Sequence, residues 1–537
     1  MKLPQRLSYH AGFWLVLLLS VFAWAPATYP GYWQALEGFI PVFNASRPSP
    51  LANIAVQPDL WRGMGSGTFL LARPFLVLGF TPTAAVRVSF VLALILGGLG
   101  CYSWLQSYLG DRAAGVAGLI YLFAPPLLAT VYVRGSLSDT VVVMLLPLAL
   151  AGLATYRRTR ALSAAAIVVI AILWMWQAQA GLAVWATILL IGYTIIVERN
   201  WIATLIVFVS SAAALTSLAS LLDVTAPPPV HFTDHFVYLF QLFQHDWQTA
   251  PSTAGWQDTY PFQLGLPALL FTLFAMASFI EQRGRLWWNR VQQSATPQEA
   301  PLLTPMSDPV VVRLWLFSII SIFVLVLLTL PLSQPLWAWS GAGRLLTYPW
   351  QLLLLSVPLW AVTAGALPAY HRLFRQTPTW VVVALLIVLN SYGYLSADFT
   401  QVTPPTTPIA LFGEQSEIVV LDVALTENRQ PRSTELTVTW QVLHPLAVDY
   451  NIFFQALRGD EQALTVSRQM DRQPLGPEQP PTRWQPGQIY QATYTLDLEG
   501  IPADALLTYY FGYYDWHDGT RLPVNWGIDD KLIFYGQ

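Results

Sequence analysis

The chain has 537 residues, of which 55% are hydrophobic and 11% are charged, and its formal net charge is −3 at pH 7. An average soluble domain carries about 25% charged residues, so this composition excludes an ordinary soluble enzyme. The negative net charge and the lack of a basic tail or motif argue against nucleic acid as a partner. The single cysteine, Cys101, excludes an intramolecular disulfide and a cysteine-based metal cluster.

Long apolar runs alternate with short charged loops, which predicts a polytopic α-helical membrane domain. A helix in lipid needs about 20 apolar residues, because its backbone hydrogen bonds must all be internal. We expect an uncleaved first helix, since Pro26 would follow the signal-peptide-like cut. The run 68–80, broken by an Arg-Pro pair, predicts a surface or re-entrant segment. About eleven spans are predicted, near 10–27, 84–106, 113–131, 138–155, 161–177, 180–197, 201–222, 263–281, 313–333, 350–369 and 379–396.

Lysine and arginine in the short loops predict the orientation of the spans. Alternate connections carry the basic residues Lys2, Arg6, Arg112, Arg157, Arg158, Arg160, Arg199, Arg283, Arg285, Arg290, Arg372 and Arg375. We expect that side to be cytoplasmic, with the N-terminus, in a multi-pass plasma-membrane protein. The large loops 28–83 and 223–262 and the C-terminal domain would then be extracytoplasmic.

Composition changes near residue 400. We predict a transmembrane domain over residues 1–400, a linker over 401–416 that includes VTPPTTP, and an extracytoplasmic domain over 417–537. Two-residue alternation predicts seven strands, at 417–425, 434–442, 449–457, 463–470, 490–498, 506–515 and 531–536. Short strands at this spacing predict an antiparallel β-sandwich.

Charged residues beside apolar runs are costly, so two loop segments are candidate sites. VYVRGSLSD (131–139) places Arg134 and Asp139 between two spans. The guanidinium of Arg134 either snorkels to lipid headgroups, or binds a phosphate or the carboxylate of Asp139. In WAWSGAGRLLTYPWQLLLL, Arg344 and Tyr348 stand among aromatic residues, a pattern that is also typical of an interfacial belt.

Loop 223–262 concentrates histidine and aspartate. His231 and His235 are four residues apart and would share a face of a helix, so these two and Asp234 are candidate metal ligands. The same stretch, HFTDHFVYLFQLFQHDW, predicts an amphipathic aromatic helix on the bilayer surface, which is the interpretation we favour. The cofactor stays open, with a divalent metal ion as the candidate. The sequence contains no phosphate loop, dinucleotide fingerprint or nucleophile elbow.

Three stretches of the membrane domain resemble one family. YLFAPPLLATVYVRGSLSDTVVVMLLPLAL, PLSQPLWAWSGAGRLLTYPWQLLLL and QPDLWRGMGSGTF are similar to segments of bacterial multi-spanning proteins labelled 6-pyruvoyl-tetrahydropterin synthase-related. The architecture of those proteins looks like that of the GT-C glycosyltransferases. The resemblance covers most of residues 10–395. The family's aromatic-Pro-Trp-Arg motif reads Tyr348-Pro349-Trp350-Gln351 here, with glutamine in place of arginine.

The C-terminal domain carries a second resemblance. PTRWQPGQIYQATYTLDL (481–498) and YYDWHDGTRLPV (513–524) are similar to β-sandwich modules appended to glycosyltransferase-like membrane proteins. This resemblance implies an architecture rather than an activity.

The family resemblance implies sugar transfer from a polyprenyl-phosphate donor to an extracytoplasmic acceptor. In PGYWQALEGFIPVFN (30–44), Glu37 keeps a carboxylate where the family has a His-Asp-Gly run, although the family's histidines and arginine are missing. The resemblance makes Glu37 the candidate base or metal-binding acid and Asp59 its helper. The remaining implied roles are lipid-phosphate binding by Arg134, Arg344 and Arg62, and support by Asp139 and Tyr348.

Two alternatives to catalysis stay open. The altered first-loop motif also fits a catalytically degenerate GT-C-like scaffold, or a structural subunit of a membrane assembly, that presents its β-sandwich to a partner or carbohydrate. A transporter lacks positive support, because the sequence has no related halves. The expected partners are the lipid bilayer, a lipid-linked sugar if the protein is an enzyme, and a protein bound through the outer loops or the β-sandwich.

Overall fold

A computed structural model describes residues 10–29, 32–33, 45, 65–218, 232–244, 246–248, 252, 255–292, 308–346, 348–396, 399–400, 409–413, 417–429, 432–442, 446–458, 465–484, 489–502, 505, 507–524 and 530–535. They form two compact units, one comprising most of the described chain up to Phe399 and the other the chain from Thr400 onward. The predicted fold class is confirmed: a helical membrane unit is followed by an antiparallel β-sandwich.

The helical unit follows the apolar runs of the sequence. Its main helices are α1 (Ala11–Trp24), α2 (Pro82–Leu109), α3 (Asp111–Leu122), α4 (Leu137–Thr159), α5 (Leu162–Ala178), α6 (Ala180–Tyr193), α7 (Trp201–Ala213), α8 (Leu266–Gln292), α9 (Pro309–Thr329), α10 (Gln334–Ser340), α11 (Leu352–Gly365) and α12 (Thr377–Ser391). Shorter helices lie at Arg73–Val77, Pro125–Ala129, Leu367–Tyr370 and Arg372–Arg375. Single π-helical turns extend two of the spans, at Thr130–Arg134 and Thr194–Glu198.

The predicted count of about eleven spans is not confirmed. In the described part of the chain, eight helical segments are long and apolar enough to cross a membrane: Ala11–Thr28, Pro82–Leu109, Asp111–Arg134, Leu137–Thr159, Ala180–Glu198, Pro309–Thr329, Pro349–Tyr370 and Thr377–Leu395. Three further apolar helices, Leu162–Ala178, Trp201–Ala213 and Leu266–Glu281, have only 10–17 residues. They correspond to predicted spans, but they are short for a bilayer about 30 Å thick.

Local sequence explains how α4 begins. Gly135 adopts a left-handed conformation (φ 70°), which ends the preceding π turn at little steric cost. The Ser136 hydroxyl then caps α4 by accepting a hydrogen bond from the backbone N–H of Asp139 at 3.4 Å. Arg134 and Asp139 are thereby held on either side of one tight turn.

The helical unit has two polar ends, which are named here by the residues that mark them. The Arg134 end contains Arg134, the break between α5 and α6 at Gln179, and the start of the Pro349–Tyr370 segment. The Glu198 end contains the last turns of α2 and α4 together with Glu198. Arg134 ends the π turn that precedes α4, and Arg157 lies in the last turn of α4, so the two clusters lie at opposite ends of that helix.

The second unit consists of two four-stranded sheets. Its strands are β1 (Ala410–Phe412), β2 (Ile418–Arg429), β3 (Arg432–Val442), β4 (Asn451–Arg458), β5 (Thr465–Arg472), β6 (Ile489–Asp497), β7 (Leu507–Tyr514) and β8 (Leu532–Tyr535). The sheet orders are β1-β2-β3-β6 and β8-β7-β4-β5, with antiparallel neighbours. Trp440 and Leu436 from one sheet and Phe454, Tyr509 and Phe511 from the other share one buried core. A core between two packed sheets is what the two-residue alternation of apolar and polar side chains predicted.

Three local predictions need correction or refinement. The surface helix predicted within 231–247 is wrong, because the described residues there form only two short 3₁₀ turns, Phe232–Asp234 and Leu239–Phe243. The stretch predicted as linker contains strand β1, which pairs with β2. The segment 68–80 is a pair of short helical turns in which Val77 and Leu78 are exposed.

Candidate functional site

The segments that carry the family resemblance meet at the Arg134 end. The backbone N–H of Gly65 donates to the carbonyl of Ala178 at 2.8 Å, and the hydroxyl of Thr68 donates to the same carbonyl at 3.1 Å. On the other side of this helix break, Gly181 lies against the backbone of Leu345, where an added Cβ would come within 1.7 Å of the carbonyl oxygen. The break between α5 and α6 therefore contacts both the first loop and the segment 341–346 that carries Arg344, called the Arg344 loop.

The centre of this end is a buried ion pair. Arg134 and Asp139 both have fully buried side chains, and a guanidinium N–H of Arg134 donates to a carboxylate oxygen of Asp139. The amide of Gln351 donates to the same oxygen at 2.7 Å, while its own carbonyl accepts from the backbone N–H of Tyr348 at 3.0 Å. Gln351, which replaces the arginine of the family motif, thus links the ion pair to the start of α11 across 212 positions of sequence.

Aromatic rings cover the guanidinium of Arg134. Its Cζ lies 5.4 Å from the ring centroids of both Tyr348 and Trp350, a cation–π arrangement. Tyr348 and Trp350 are stacked with centroids 4.8 Å apart, and Tyr260 stacks on the indole at 4.5 Å. Beside these rings lies a cavity of about 10 Å³, room for about one water molecule. Its lining is mainly apolar: Pro126, Thr130, Tyr260, Pro261, Phe262, Trp350, Leu353 and Leu354.

Arg344 is the exposed cation of this end. It ends the 3₁₀ turn Ala342–Arg344, four residues before Tyr348, and its side chain is exposed. Next to it, Gly343 packs against the ring of Phe232, so the Arg344 loop contacts the segment that carries His235. Before this loop, Leu332 in the turn Pro331–Ser333 and Trp339 in α10 are 79% and 86% exposed. An exposed cation therefore follows exposed apolar side chains along the same stretch of chain.

His235 belongs to a buried chain of hydrogen bonds. Its Nδ1 is 2.8 Å from the hydroxyl of Ser252, which donates to a carboxylate oxygen of Asp258 at 2.5 Å. The other carboxylate oxygen of Asp258 accepts from the backbone N–H of Tyr260 at 2.9 Å. The imidazole meets Tyr348 edge to face at 5.0 Å. Burial lowers the pKa of His235 to about 4, against the opposing effect of the Asp234 carboxylate, so the ring is neutral at pH 7.

The structure brings only some of the predicted site residues together. Arg134, Asp139 and Tyr348 form one cluster, with Arg344 on the adjoining loop. Asp234 is exposed, and the described residues contain no group of three histidine, cysteine, aspartate or glutamate side chains that could hold a metal ion. The described ligands therefore do not fit a metal site. The predicted residues Glu37, Asp59, Arg62 and His231 lie outside the described residues.

Sequence reasoning missed Gln351, Ser252 and Asp258 as site residues. For Gln351 the signal was its place at the altered position of the Tyr-Pro-Trp motif, which marked a departure and gave it no role. Ser252 and Asp258 have no comparable signal: they lie in a loop without periodicity, and their contacts arise only from the fold.

No family model and no curated protein matches the sequence. The assignment to the 6-pyruvoyl-tetrahydropterin synthase-related family is therefore unsupported beyond the motifs themselves. Among solved structures, the chain is similar to the arabinofuranosyltransferase AftD from mycobacteria, with 16% identity and a TM-score of 0.41. The matched region covers 73% of this chain but only 27% of the AftD chain. The chain thus spans about a quarter of the length of that protein.

Proposed function

We propose that this protein is a membrane glycosyltransferase of GT-C type that transfers a sugar from a polyprenyl-phosphate donor to an extracytoplasmic acceptor. The proposal places the Arg134 end on the extracytoplasmic side, in agreement with the loop arginines. It also places the protein in the plasma membrane, with the N-terminus in the cytoplasm and the β-sandwich outside.

One observation carries the proposal: Arg344 is exposed, adjoins the buried Arg134 cluster through Tyr348, and follows a stretch of chain with exposed apolar side chains. A lipid-linked donor presents a phosphate at the headgroup level and a chain in the hydrocarbon. Arg344 supplies the cation for that phosphate, while Leu332 and Trp339, on the preceding helical turns of the same stretch of chain, are exposed for lipid contact. A surface arginine on a mobile loop would bind poorly, but the contacts of Gly181 and Gly343 fix this loop.

The buried arginine serves a different purpose from the exposed one. Arg134 is ion-paired with Asp139 and covered by Tyr348 and Trp350, so its contribution is to hold the loop that carries the phosphate ligand. Arg344 then stabilises the negative charge that develops on the leaving phosphate as the bond to the sugar breaks. The family resemblance implies the remaining roles: Glu37 as base or metal-binding acid with Asp59 as its helper, and Arg62 as a further lipid-phosphate ligand.

The proposal is tested by a transfer assay with a pool of radiolabelled polyprenyl-phosphate sugars and membrane-derived acceptors. The wild type, Arg344→Gln and the control Arg158→Gln, which changes an exposed arginine near the Glu198 end, are purified and compared. We expect transfer by the wild type and the control and a loss of about 100-fold or more in Arg344→Gln, the range reported for electrostatic transition-state ligands. Equal activity of all three would contradict the role of Arg344.

A specific observation also favours a second candidate, the non-catalytic scaffold. The cavity beside Trp350 has about 10 Å³, far less than a sugar needs, and its lining is mostly apolar. A scaffold that anchors a partner-binding or carbohydrate-binding β-sandwich would need no larger space. Absence of transfer in the wild type with every donor and acceptor would favour this candidate over the enzyme.

A further inference from the structure

We propose that His235 is the general base that removes the proton from the acceptor hydroxyl. This inference rests on the proposed glycosyl transfer, and it gives the imidazole a role that the family resemblance assigns to Glu37. It is carried by the hydrogen-bond chain Asp258–Ser252–His235 and by the position of that chain against Tyr348 and the Arg344 loop.

The hydrogen-bond chain fixes the tautomer of the imidazole. Asp258 is a carboxylate and only accepts, so the hydrogen of the Ser252 hydroxyl points to it. The serine oxygen can then only accept from His235, which requires the hydrogen of the imidazole to be on Nδ1. The lone pair is left on Nε2, and Nε2 makes no hydrogen bond to any residue that the structure describes. This is the arrangement that a general base needs.

The base lies next to the proposed phosphate ligand. His235 contacts Tyr348, four residues after Arg344, and Phe232 of the same segment packs against Gly343, which directly precedes Arg344. Two loops from distant parts of the sequence thus place an imidazole and a guanidinium in one neighbourhood. The histidine keeps 9% of its surface accessible to solvent, so the residue is largely but not completely buried.

The proposed transfer couples one proton transfer to the making of one bond and the breaking of another. Nε2 of His235 takes the proton of the acceptor hydroxyl while the hydroxyl oxygen forms a bond to the anomeric carbon of the donor sugar. The bond from that carbon to the phosphate oxygen breaks, and the phosphate leaves with the electron pair, facing Arg344. The imidazolium that results keeps its Nδ1–H bonded to Ser252, whose hydroxyl is held in turn by Asp258.

A purely structural role for the chain makes different predictions from a catalytic one. If His235 only ties its loop to Ser252, a glutamine that can donate to the same hydroxyl should preserve function. If His235 is the base, glutamine should preserve the fold and abolish turnover, because an amide accepts no proton at neutral pH. His235→Gln therefore separates the two roles, and His235→Ala opens a space that free imidazole can enter.

The experiment measures kcat, the KM for the lipid-linked donor and the thermal midpoint for the wild type, His235→Gln, His235→Ala and Glu37→Gln. His10→Ala, an exposed histidine at the start of α1, is the matched control. We expect kcat of His235→Gln to fall by about 100-fold or more at an unchanged donor KM and thermal midpoint. Added imidazole should restore part of the activity of His235→Ala and should not stimulate the control.

The outcomes distinguish this inference from the proposed function. Transfer by the wild type that survives in His235→Gln, or an alanine variant that imidazole does not rescue, would overturn the role of His235 while leaving the transferase intact. If activity survives in His235→Gln and collapses only in Glu37→Gln, Glu37 is the base. A wild type that transfers no sugar from any donor would overturn the proposed function, and the base with it.

Discussion

In the described part of the helical unit, two ion pairs with buried carboxylates have different surroundings. Arg134 and Asp139 lie at one end, beneath loops and aromatic rings, and next to an exposed arginine. Arg157 and Glu198 lie at the other end, where Nε of the arginine is 3.0 Å from the carboxylate. Glu198 also accepts hydrogen bonds from the hydroxyls of Tyr108 and Tyr193, the latter at 2.7 Å. Both carboxylates are almost completely buried.

The difference shows that burial of a charge does not by itself mark a functional site. Glu198 joins the ends of three helical segments, and its partners are a guanidinium and two phenols that also bond to each other. That arrangement ties helices together through groups that face one another. The Arg134 cluster is also well packed, but it supports Arg344, which is exposed, and contacts His235, whose Nε2 makes no hydrogen bond to a described residue. Function is expected where a rigid cluster carries reactive groups at its edge.

The largest effect is expected from breaking the Arg134 pair. Arg134→Met leaves the carboxylate of Asp139 buried opposite a methionine, with Gln351 as its remaining described donor. Removing one partner of a buried pair costs about 3–5 kcal/mol, because the other charge stays desolvated. SDS-induced unfolding of the detergent-solubilised protein should show this loss, and transfer should disappear with it.

The double variant Arg134→Met/Asp139→Leu is the matched control for that experiment. Removing both charges leaves no desolvated group, so most of the lost stability should return. We expect transfer to remain low, because the loop of Tyr348 has lost its attachment. Full activity in the stable double variant would show that the cluster does not position the site.

A smaller effect is expected from Glu198→Gln at the opposite end. The amide keeps acceptor capacity toward Tyr108 and Tyr193 but loses the charge that faces Arg157, which is itself 25% exposed and can turn toward water. Loss of a charged hydrogen-bond partner costs about 1.5–3 kcal/mol. The free energy of unfolding should fall by that amount, while kcat and donor KM stay those of the wild type. A selective loss of kcat would contradict the contrast between the two ends.

Much of the fold could be predicted from the sequence because it depends on local pattern. The span predicted at 138–155 is α4, and all seven predicted strands correspond to observed strands. The prediction of a helix around His235 was wrong. It relied on the amphipathic spacing of the aromatic residues and gave too little weight to the lack of strong helix-forming residues there. Strand β1 was missed because three residues after a proline-rich run carry too little periodicity to recognise.

The candidate site was predictable only in part. Position next to an apolar run identified Arg134, Asp139 and Arg344, because charges there are costly. It could not show that Arg134 would be fully buried rather than at a lipid surface, since that depends on Tyr348 and Trp350 from a segment more than 200 positions away. Long-range contacts such as that between Asp139 and Gln351 are properties of packing, which no periodicity encodes.

The smallest effect is expected from an exposed pair in the β-sandwich. Arg521 donates to Asp530 at 2.8 Å, and Lys531 donates to its other oxygen at 2.7 Å; these two partners hold the pKa of Asp530 below its ordinary value. Asp530→Asn should cost less than about 1 kcal/mol, because exposed pairs are well solvated without each other. Hydrogen exchange of β7 and β8 in the full-length protein would measure this cost.

The sign of the pH dependence follows from the lowered pKa of Asp530. The pair contributes to the free energy of unfolding in full above the ordinary carboxyl pKa of about 3.9. This contribution is lost as the pH falls through the lower pKa of the folded state, where the native carboxylate takes up its proton. The difference in exchange between wild type and Asp530→Asn should therefore shrink with acidification and with salt. If Asp530→Asn lowered the free energy of unfolding about as much as Arg134→Met does, the effect of burial would be contradicted. The attraction between the charges, and not their desolvation, would then determine the stability lost at Asp139, Glu198 and Asp530.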